Sequence, residues 1–160
     1  AGPSASTVAI AGLEESIMRI ALYQPDIAQN TGTILRLAAC MSTPVDIIGP
    51  AGFDISDRAL RRAGLDYLEH ADVTRHISFD AFYTALRARQ PAARLVALTT
   101  HASENLYKFE FATGDVLLFG RESAGLPTRV HDVVDARVRI PLRQDLRSLN
   151  LAVATGIALS

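Results

Sequence analysis

The sequence has few residues of the kinds that build metal or disulfide sites. It contains a single cysteine, Cys40, among 160 residues, which excludes a disulfide framework and any cysteine-rich zinc module. His70, His76, His101 and His131 show neither H-x-x-x-H spacing nor a cysteine partner, so no metal site is predicted. We expect these histidines to lie at the surface or in hydrogen bonds. Cys40 stands in an apolar stretch and is predicted to be a core residue rather than a nucleophile.

The common phosphate-binding and hydrolase motifs are also missing. No G-x-G-x-x-G is present, and the single lysine, Lys108, follows no glycine-rich loop, which excludes a standard dinucleotide fold and a P-loop. Ser123 lies between glycines, but Gly120 precedes it by three residues. A nucleophile elbow requires the glycine two residues before the serine, so an esterase is excluded as well.

Long apolar runs and a large net charge are absent too. No apolar stretch approaches the roughly 20 residues of a membrane-spanning helix, and we expect no membrane segment and a cytoplasmic location. The net charge of −1 excludes a wholesale polyanion binder but not a local basic face. Residues 18–160 are predicted to form a single domain. Residues 1–17 are expected to be a flexible extension, either a non-native remnant or a natural arm.

Short apolar strands alternate with helical patterns along the rest of the chain. This alternation predicts an α/β fold with a mostly parallel sheet flanked by helices, whose ligand site lies at the carboxyl ends of the strands. The predicted strands are Arg19–Tyr23, Val45–Ile48, Leu95–Thr99, Asp115–Phe119 and Val138–Ile140. The predicted helices are Asn30–Met41, Ser56–Ala63, Ser78–Arg89, a short one opened by Leu126–Pro127, and Leu149–Leu159.

The apolar spacing also predicts which side of each helix is buried. In the first helix Ile34, Leu37, Ala38 and Met41 share one face. In the helix 78–89, Phe82, Ala85 and Leu86 are expected on the buried side, with Ser78 as the N-cap.

Three segments are richer in glycine and polar residues than packing requires. Asn30 to Arg36 carries a potential N-cap, Asn30, and a glycine that suggests a close approach. Phe119 to Pro127 runs from a strand into a loop with two glycines and a carboxylate, Glu122. Ile140 to Ala152 contains Ser148 and Asn150, which can cap the last helix. Each segment taken alone also fits an ordinary capped helix or loop, but together they can surround one ligand.

The three segments in this order resemble the motifs of the SPOUT-superfamily RNA ribose methyltransferases. The matching patterns are N-x-G-x-x-x-R at 30–36, F-G-x-E-x-x-G-L-P at 119–127 and I-P-L…R-S-L-N-L-A at 140–152. The run RRAGLDY at 61–67 is similar to the TrmL (YibK) group, which methylates the ribose 2′-hydroxyl of the wobble nucleotide of certain tRNAs. The resemblance covers Arg19 to Ser160.

This resemblance implies a C-terminal trefoil knot, a homodimer and a tRNA anticodon stem-loop as partner. It also implies S-adenosylmethionine as methyl donor, with no metal. The implied cofactor-binding residues are Leu98, Thr99, Gly120, Ile140, Leu142 and Ser148. The implied catalytic residues are Arg36, Asn30, Glu122 and Asn150.

The chemistry then requires a ribose oxygen in line with an activated methyl group, and Arg36 is the implied central residue. A guanidinium stays charged at physiological pH, so we expect Arg36 to stabilise the developing alkoxide and bind a phosphate, rather than to act as a base. Asn30 and Glu122 would orient Arg36 or the ribose. Ser148 and Asn150 would shape the pocket.

Two questions stay open at the level of sequence. The arginines at 58, 61, 62, 143 and 147 either contact tRNA phosphates or form a solvated surface. The alternatives to wobble methylation are 2′-O-methylation of another tRNA or rRNA site, and a catalytically silent RNA-binding dimer that retains the pocket.

Overall fold

Seven strands and three α-helices make up the described part of the chain. The computed structural model describes residues 18–53, 70–100, 102 and 104–139. The strands are β1 (Arg19–Tyr23), β2 (Val45–Ile48), β3 (Val73–His76), β4 (Leu95–Leu98), β5 (Glu104–Asn105), β6 (Val116–Phe119) and β7 (Ala136–Arg139). The helices are α1 (Ala28–Cys40), α2 (Phe79–Arg89) and α3 (Thr128–His131), and a 3₁₀ turn spans Leu106–Lys108.

The strands form one sheet in the order β3-β2-β1-β6-β4-β7-β5. Every strand pairing among the described residues is parallel, which confirms the predicted α/β architecture. From β1 the chain moves outward to β2 and β3, whereas β6 lies on the other side of β1. The strand order therefore reverses between β1 and β6, and such a reversal opens a crevice at the carboxyl ends of the two strands.

Helix α1 covers one face of the sheet. Ile34, Leu35 and Ala38 are buried in a cluster with Ile20 and Leu22 of β1 and with side chains of β2, β4, β6 and β7. The alternation of strand side chains sends these residues to one face and their neighbours to the other. Burial of this apolar stripe holds α1 against the sheet.

The prediction for the buried face of α1 was wrong in part. Leu35 is buried, whereas Leu37 is only partly buried and Met41 is 44% exposed. Cys40, which we expected in the core, is exposed. The helix turns its 31–34–35–38 side to the sheet, so residues 40 and 41 at its end point towards solvent.

Helices α2 and α3 cover the opposite face. Phe79, Phe82 and Leu86 of α2 and Val130 of α3 pack with Ala21, Tyr23, Ile48, Leu95, Val116 and Leu118. The hydroxyl of Ser78 accepts a hydrogen bond from Ala81 N at 3.1 Å, which confirms the predicted N-cap. Ala85, predicted to be buried, is exposed.

A buried ion pair lies beneath α2. Asp46 of β2 is 2% exposed and accepts hydrogen bonds from Arg19 Nε at 2.9 Å and Arg19 Nη2 at 3.1 Å. Its Oδ1 also lies 2.9 Å from His76 Nε2 of β3, so the histidine is hydrogen-bonded as expected. The three side chains join β1, β2 and β3 on this face.

The element ends differ from the sequence predictions in several places. The first helix begins at Ala28 with Ile27 as its N-cap, so Asn30 is its third residue and not the cap. The last described strand runs Ala136–Arg139 rather than Val138–Ile140, and β3, β5 and the 3₁₀ turn were not predicted. The predicted helices 56–63 and 149–159, residues 1–17 and the C-terminal part expected to form the knot lie outside the described residues.

Candidate functional site

Two polar loops meet at the carboxyl ends of β1 and β6. The strands are paired with Leu22 opposite Phe119, so the residues that follow them, 24–26 and 120–123, come together at one edge. This edge is the point where the strand order reverses. The structure thus brings the segment before α1 next to the predicted glycine-rich loop.

The loop after β6 closes on itself through backbone hydrogen bonds. Arg121 N donates to Gly125 O at 3.2 Å, and Gly125 N donates to Arg121 O at 2.8 Å. Gly125 has a φ of +68°, a conformation that glycine adopts without strain. A Cβ at Gly120 would lie 2.5 Å from Gly125 C and 2.7 Å from Leu126 N. Only glycine therefore fits at position 120 while the loop stays closed.

A Gly120→Ala variant is expected to open this loop, because the atoms that a methyl group would meet are all backbone. Overpacking of this kind costs about 1–3 kcal/mol, to be measured by urea unfolding. The matched control is Gly125→Asn: a Cβ there meets nothing within 4 Å, and asparagine tolerates a positive φ. Equal stability of Gly120→Ala and wild type would contradict the role given to this glycine.

Asp26 and Glu122 form the centre of the contact between the two loops. Asp26 N donates to Glu122 Oε2 at 3.1 Å. Ser123 Oγ donates to Asp26 Oδ2, and Arg121 Nη2 lies 3.6 Å from the same oxygen. The remaining oxygens, Asp26 Oδ1 and Glu122 Oε1, are buried and accept no hydrogen bond from the described residues.

The pKa values of the two carboxyl groups move in opposite directions. Burial, and a hydrogen bond with the Asp26 side chain, raise the pKa of Glu122. The pKa of Asp26 is lowered, chiefly by the hydrogen bond with the Glu122 side chain and further by Ser123 and Arg121. These shifts mean that Asp26 releases its proton at a lower pH than Glu122 does.

The raised pKa of Glu122 predicts a specific pH dependence of stability. Above the ordinary glutamate pKa, the folded state binds more protons than the unfolded state. The contribution of Glu122 to the free energy of unfolding is therefore present at lower pH and is lost as the pH rises through the pKa of Glu122 in the folded protein. The wild-type free energy of unfolding, relative to that of Glu122→Gln, should therefore fall from about pH 4.5 upward. Urea unfolding of both proteins across this range measures the difference. A relative stability that increases with pH would contradict the raised pKa of Glu122.

Gln24 contributes a second contact between the loops. Its Oε1 accepts a hydrogen bond from Arg121 Nη1 at 3.3 Å. Gln24 has a φ of +42°, which is unusual for a residue with a side chain and stores strain that surrounding contacts must hold. Its N–H donates to Ile48 O at 2.8 Å. Strained backbone of this kind is concentrated at functional sites.

The predicted cofactor residues that the structure describes lie side by side at the same edge. Leu98 is paired with both Phe119 and Val138, so Leu98, Thr99 and Gly120 end adjacent strands at one level. Thr99 N donates to Val138 O at 2.9 Å. Leu98 is 8% exposed and offers an apolar side chain next to a glycine without one.

A cavity opens farther along this edge, at the ends of β5 and β7. Its volume is about 480 Å³, and it is lined by Glu104, Asn105, Lys108, Phe109 and Arg139. This volume is typical of a small-molecule site. In the parts of the chain that the structure describes, no group of three or more His, Cys, Asp or Glu residues is arranged to hold a metal ion.

The predicted catalytic residues are only partly brought together. Glu122 lies in the loop contact, and Asn30 is partly buried in the first turn of α1. Arg36 is exposed on α1, six residues or about 9 Å of helix beyond Asn30. Ile140, Leu142, Ser148 and Asn150 lie outside the described residues, as do the arginines at 58, 61, 62, 143 and 147.

Asp26, Gln24 and Arg121 were not singled out from the sequence. Gln24 and Asp26 flank Pro25 directly after a fully buried strand, which is the usual signal for polar residues at a parallel-sheet edge. That signal predicts that Gln24 and Asp26 lie at the sheet edge. It does not predict their contacts with residues about one hundred positions later in the chain.

A comparison with protein-family models matches residues 17–160 to the SpoU rRNA Methylase family. The chain belongs to this family. The matched residues include all seven strands, the loop after β6 and helix α1. No helix in the described ranges is both long and apolar enough to cross a bilayer.

Individual SpoU-family relatives cover most of this chain. A tRNA (cytidine(34)-2′-O)-methyltransferase from Beijerinckia indica is 55% identical over 142 residues, which are 88% of this chain and 86% of the relative. The protein of the same description from Escherichia coli is 43% identical over 143 residues, 88% of each chain.

Solved SpoU-type structures share the fold. One, described as giving structural insights into the 2-OH methylation of C/U34 on tRNA, has a TM-score of 0.84 with 43% identity and covers 91% of this chain and 93% of its own. The SpoU methyltransferase AviRb from Streptomyces viridochromogenes, in complex with the cofactor AdoMet, has a TM-score of 0.83 with 27% identity. That match covers 91% of this chain and 56% of AviRb.

Proposed function

We propose that this protein transfers a methyl group from S-adenosylmethionine to the ribose 2′-hydroxyl of the wobble nucleotide, cytidine or uridine 34, in tRNA. The observation that carries the proposal is the 55% identity to a tRNA (cytidine(34)-2′-O)-methyltransferase over 88% of the chain. The loop contact at the β1–β6 crevice supports it, because that contact lies where a sheet of this topology binds ligands.

The described residues fit a sulfonium cofactor whose adenine ring has faces that pack against apolar side chains. Leu98 supplies an apolar wall, and Gly120 leaves its backbone without a covering side chain. In this proposal Leu98, Thr99 and Gly120 hold the cofactor, together with Ile140, Leu142 and Ser148. When bound, the cofactor supplies a methyl group that is already activated on sulfur. The protein's task is then to place the ribose oxygen and stabilise the charge that develops on it.

In this proposal, Arg36 and Asn30 of α1 place the ribose oxygen and stabilise the charge that develops on it. We propose that Arg36 stabilises the developing alkoxide and binds a flanking phosphate, since a guanidinium forms two parallel hydrogen bonds to such groups. Asn30, Glu122 and Asn150 orient Arg36 or the ribose. Fixing these groups in place lowers the barrier by up to about 7–11 kcal/mol.

The proposal also covers the domain organisation, the oligomeric state and the RNA partner of the protein. Residues 18–160 form one domain, its C-terminal part is tied in a trefoil knot, and the protein acts as a homodimer on the anticodon stem-loop. The family match from residue 17 to 160 supports the single domain.

The test is mass mapping of tRNA after incubation with the protein and a methyl-labelled donor. A new methyl group on the ribose of nucleotide 34 is the expected result. Transfer to another tRNA position or to rRNA, supplied in a parallel reaction, would overturn the wobble assignment. Calorimetry with S-adenosylmethionine distinguishes the enzyme from an inactive RNA-binding dimer. A protein that does not bind the donor would overturn the enzyme assignment.

A further inference from the structure

Asp26 is a partly buried carboxylate that the proposed chemistry does not use. It stands between Pro25 and the first residues of α1, and its contacts reach across to the loop after β6. Its backbone N–H and its side chain both bind that loop, through Glu122 and Ser123. A carboxylate that only capped its own helix would make neither contact.

Each of the two carboxyl groups keeps one oxygen without a donor. Asp26 Oδ1 and Glu122 Oε1 are buried and accept no hydrogen bond from the described residues, and unsatisfied buried oxygens of this kind are costly. The other oxygens make the contact between the loops: Glu122 Oε2 accepts from Asp26 N, and Asp26 Oδ2 accepts from Ser123 Oγ.

Gly52, in the loop after β2, packs closely against the backbone of Asp26. Its N–H donates to Pro25 O at 2.8 Å, and a Cβ at Gly52 would lie 2.8 Å from Asp26 Cβ and 3.0 Å from Asp26 Cα. The Asp26 backbone therefore cannot retreat from Glu122 without displacing the loop after β2. The carboxylate is fixed between two loops rather than exposed at the end of one.

We propose that Asp26 is a positioning residue, which sets the start of α1 against the loop after β6 through its hydrogen bonds with Glu122 and Ser123. This inference rests on the proposed function. Helix α1 begins two residues after Asp26 and carries Asn30 and Arg36, whereas Gly120 precedes Glu122 by two residues. The Asp26–Glu122 link therefore determines the distance between the group that stabilises the ribose oxygen and the cofactor loop.

The test compares Asp26→Ala with Asp26→Asn in methyl transfer to tRNA. The side-chain oxygen of an asparagine still accepts from Ser123 Oγ, so this variant keeps the link. Asp26→Ala is expected to lower kcat about 100-fold, the effect of a misplacement near 1 Å. Its KM for the cofactor should stay within about threefold, because Leu98, Thr99 and Gly120 are untouched. Asp26→Asn should retain kcat within about threefold.

Asp80→Ala is the matched control, since Asp80 is exposed on α2 on the opposite face of the sheet, and it should behave as wild type. Equal losses of kcat in Asp26→Ala and Asp26→Asn, or a kcat of Asp26→Ala within twofold of wild type, would overturn the proposal. So would a loss confined to the KM for the cofactor.

A stability measurement separates this inference from the proposed function. In urea unfolding, Asp26→Ala and Ser123→Ala should be non-additive, because each removes the hydrogen bond from Ser123 Oγ to Asp26 Oδ2. Additive effects overturn the link even in an active enzyme. If the wild-type protein methylates no tRNA but the effects of the two substitutions on stability are non-additive, the result counts against the proposed function alone.

Discussion

An Asp46→Ala variant is expected to unfold with a free energy about 3–5 kcal/mol lower than that of the wild type. Arg19 is 8% exposed and Asp46 2% exposed, so the substitution leaves a guanidinium buried beneath α2 without its carboxylate. His76 loses the same acceptor. The loss is a large part of the total stability of a domain of this size.

Urea unfolding measures this loss, and a double variant sharpens its interpretation. Arg19→Met with Asp46→Leu removes both charges and fills the space with apolar groups, and it should be considerably more stable than Asp46→Ala. An Asp46→Ala protein within 1 kcal/mol of wild type would show that water or a rearranged neighbour satisfies Arg19.

Replacing Arg36 by lysine is expected to lower kcat for methyl transfer to tRNA about 100-fold. Lysine keeps the positive charge but loses the planar fork, and removing one donor to a developing oxyanion typically costs about 10²–10³-fold. Because Arg36 is exposed, folding should be unaffected, with an unfolding midpoint equal to that of wild type.

Arg89→Lys serves as the control for Arg36→Lys. Arg89 is exposed in the last turn of α2, on the other face of the sheet, and its replacement should leave kcat unchanged. Near-native turnover and tRNA affinity in Arg36→Lys would remove Arg36 from the mechanism.

The buried strands were predictable because each is a short, almost continuous apolar run. β1 and β2 have the predicted bounds, and β4 and β6 differ by one residue at one end. β3 was missed because its sequence, VTRH, contains one apolar residue. It is a strand because it pairs with β2 at the sheet edge and because His76 binds Asp46, and both are contacts that a local pattern does not contain.

The start of α1 shows how a distant contact overrides a local rule. Asn30 is a favourable N-cap residue, yet the helix begins two residues earlier, with no side-chain cap. The backbone N–H of Asp26, just before the helix, is instead satisfied by Glu122, 96 residues away. Glu122 was singled out from the sequence because of its glycine-rich surroundings, whereas no local pattern marks Asp26.

The separation between these partners has a consequence for protein synthesis. Asp26 and Ser123 are 97 residues apart, so a ribosome adding about 5–20 residues per second makes the first loop several seconds before the second. Until β6 has emerged, β1 has no neighbour on that side and the crevice does not exist. A nascent chain therefore lacks this crevice, and methyl transfer must await synthesis of the loop after β6.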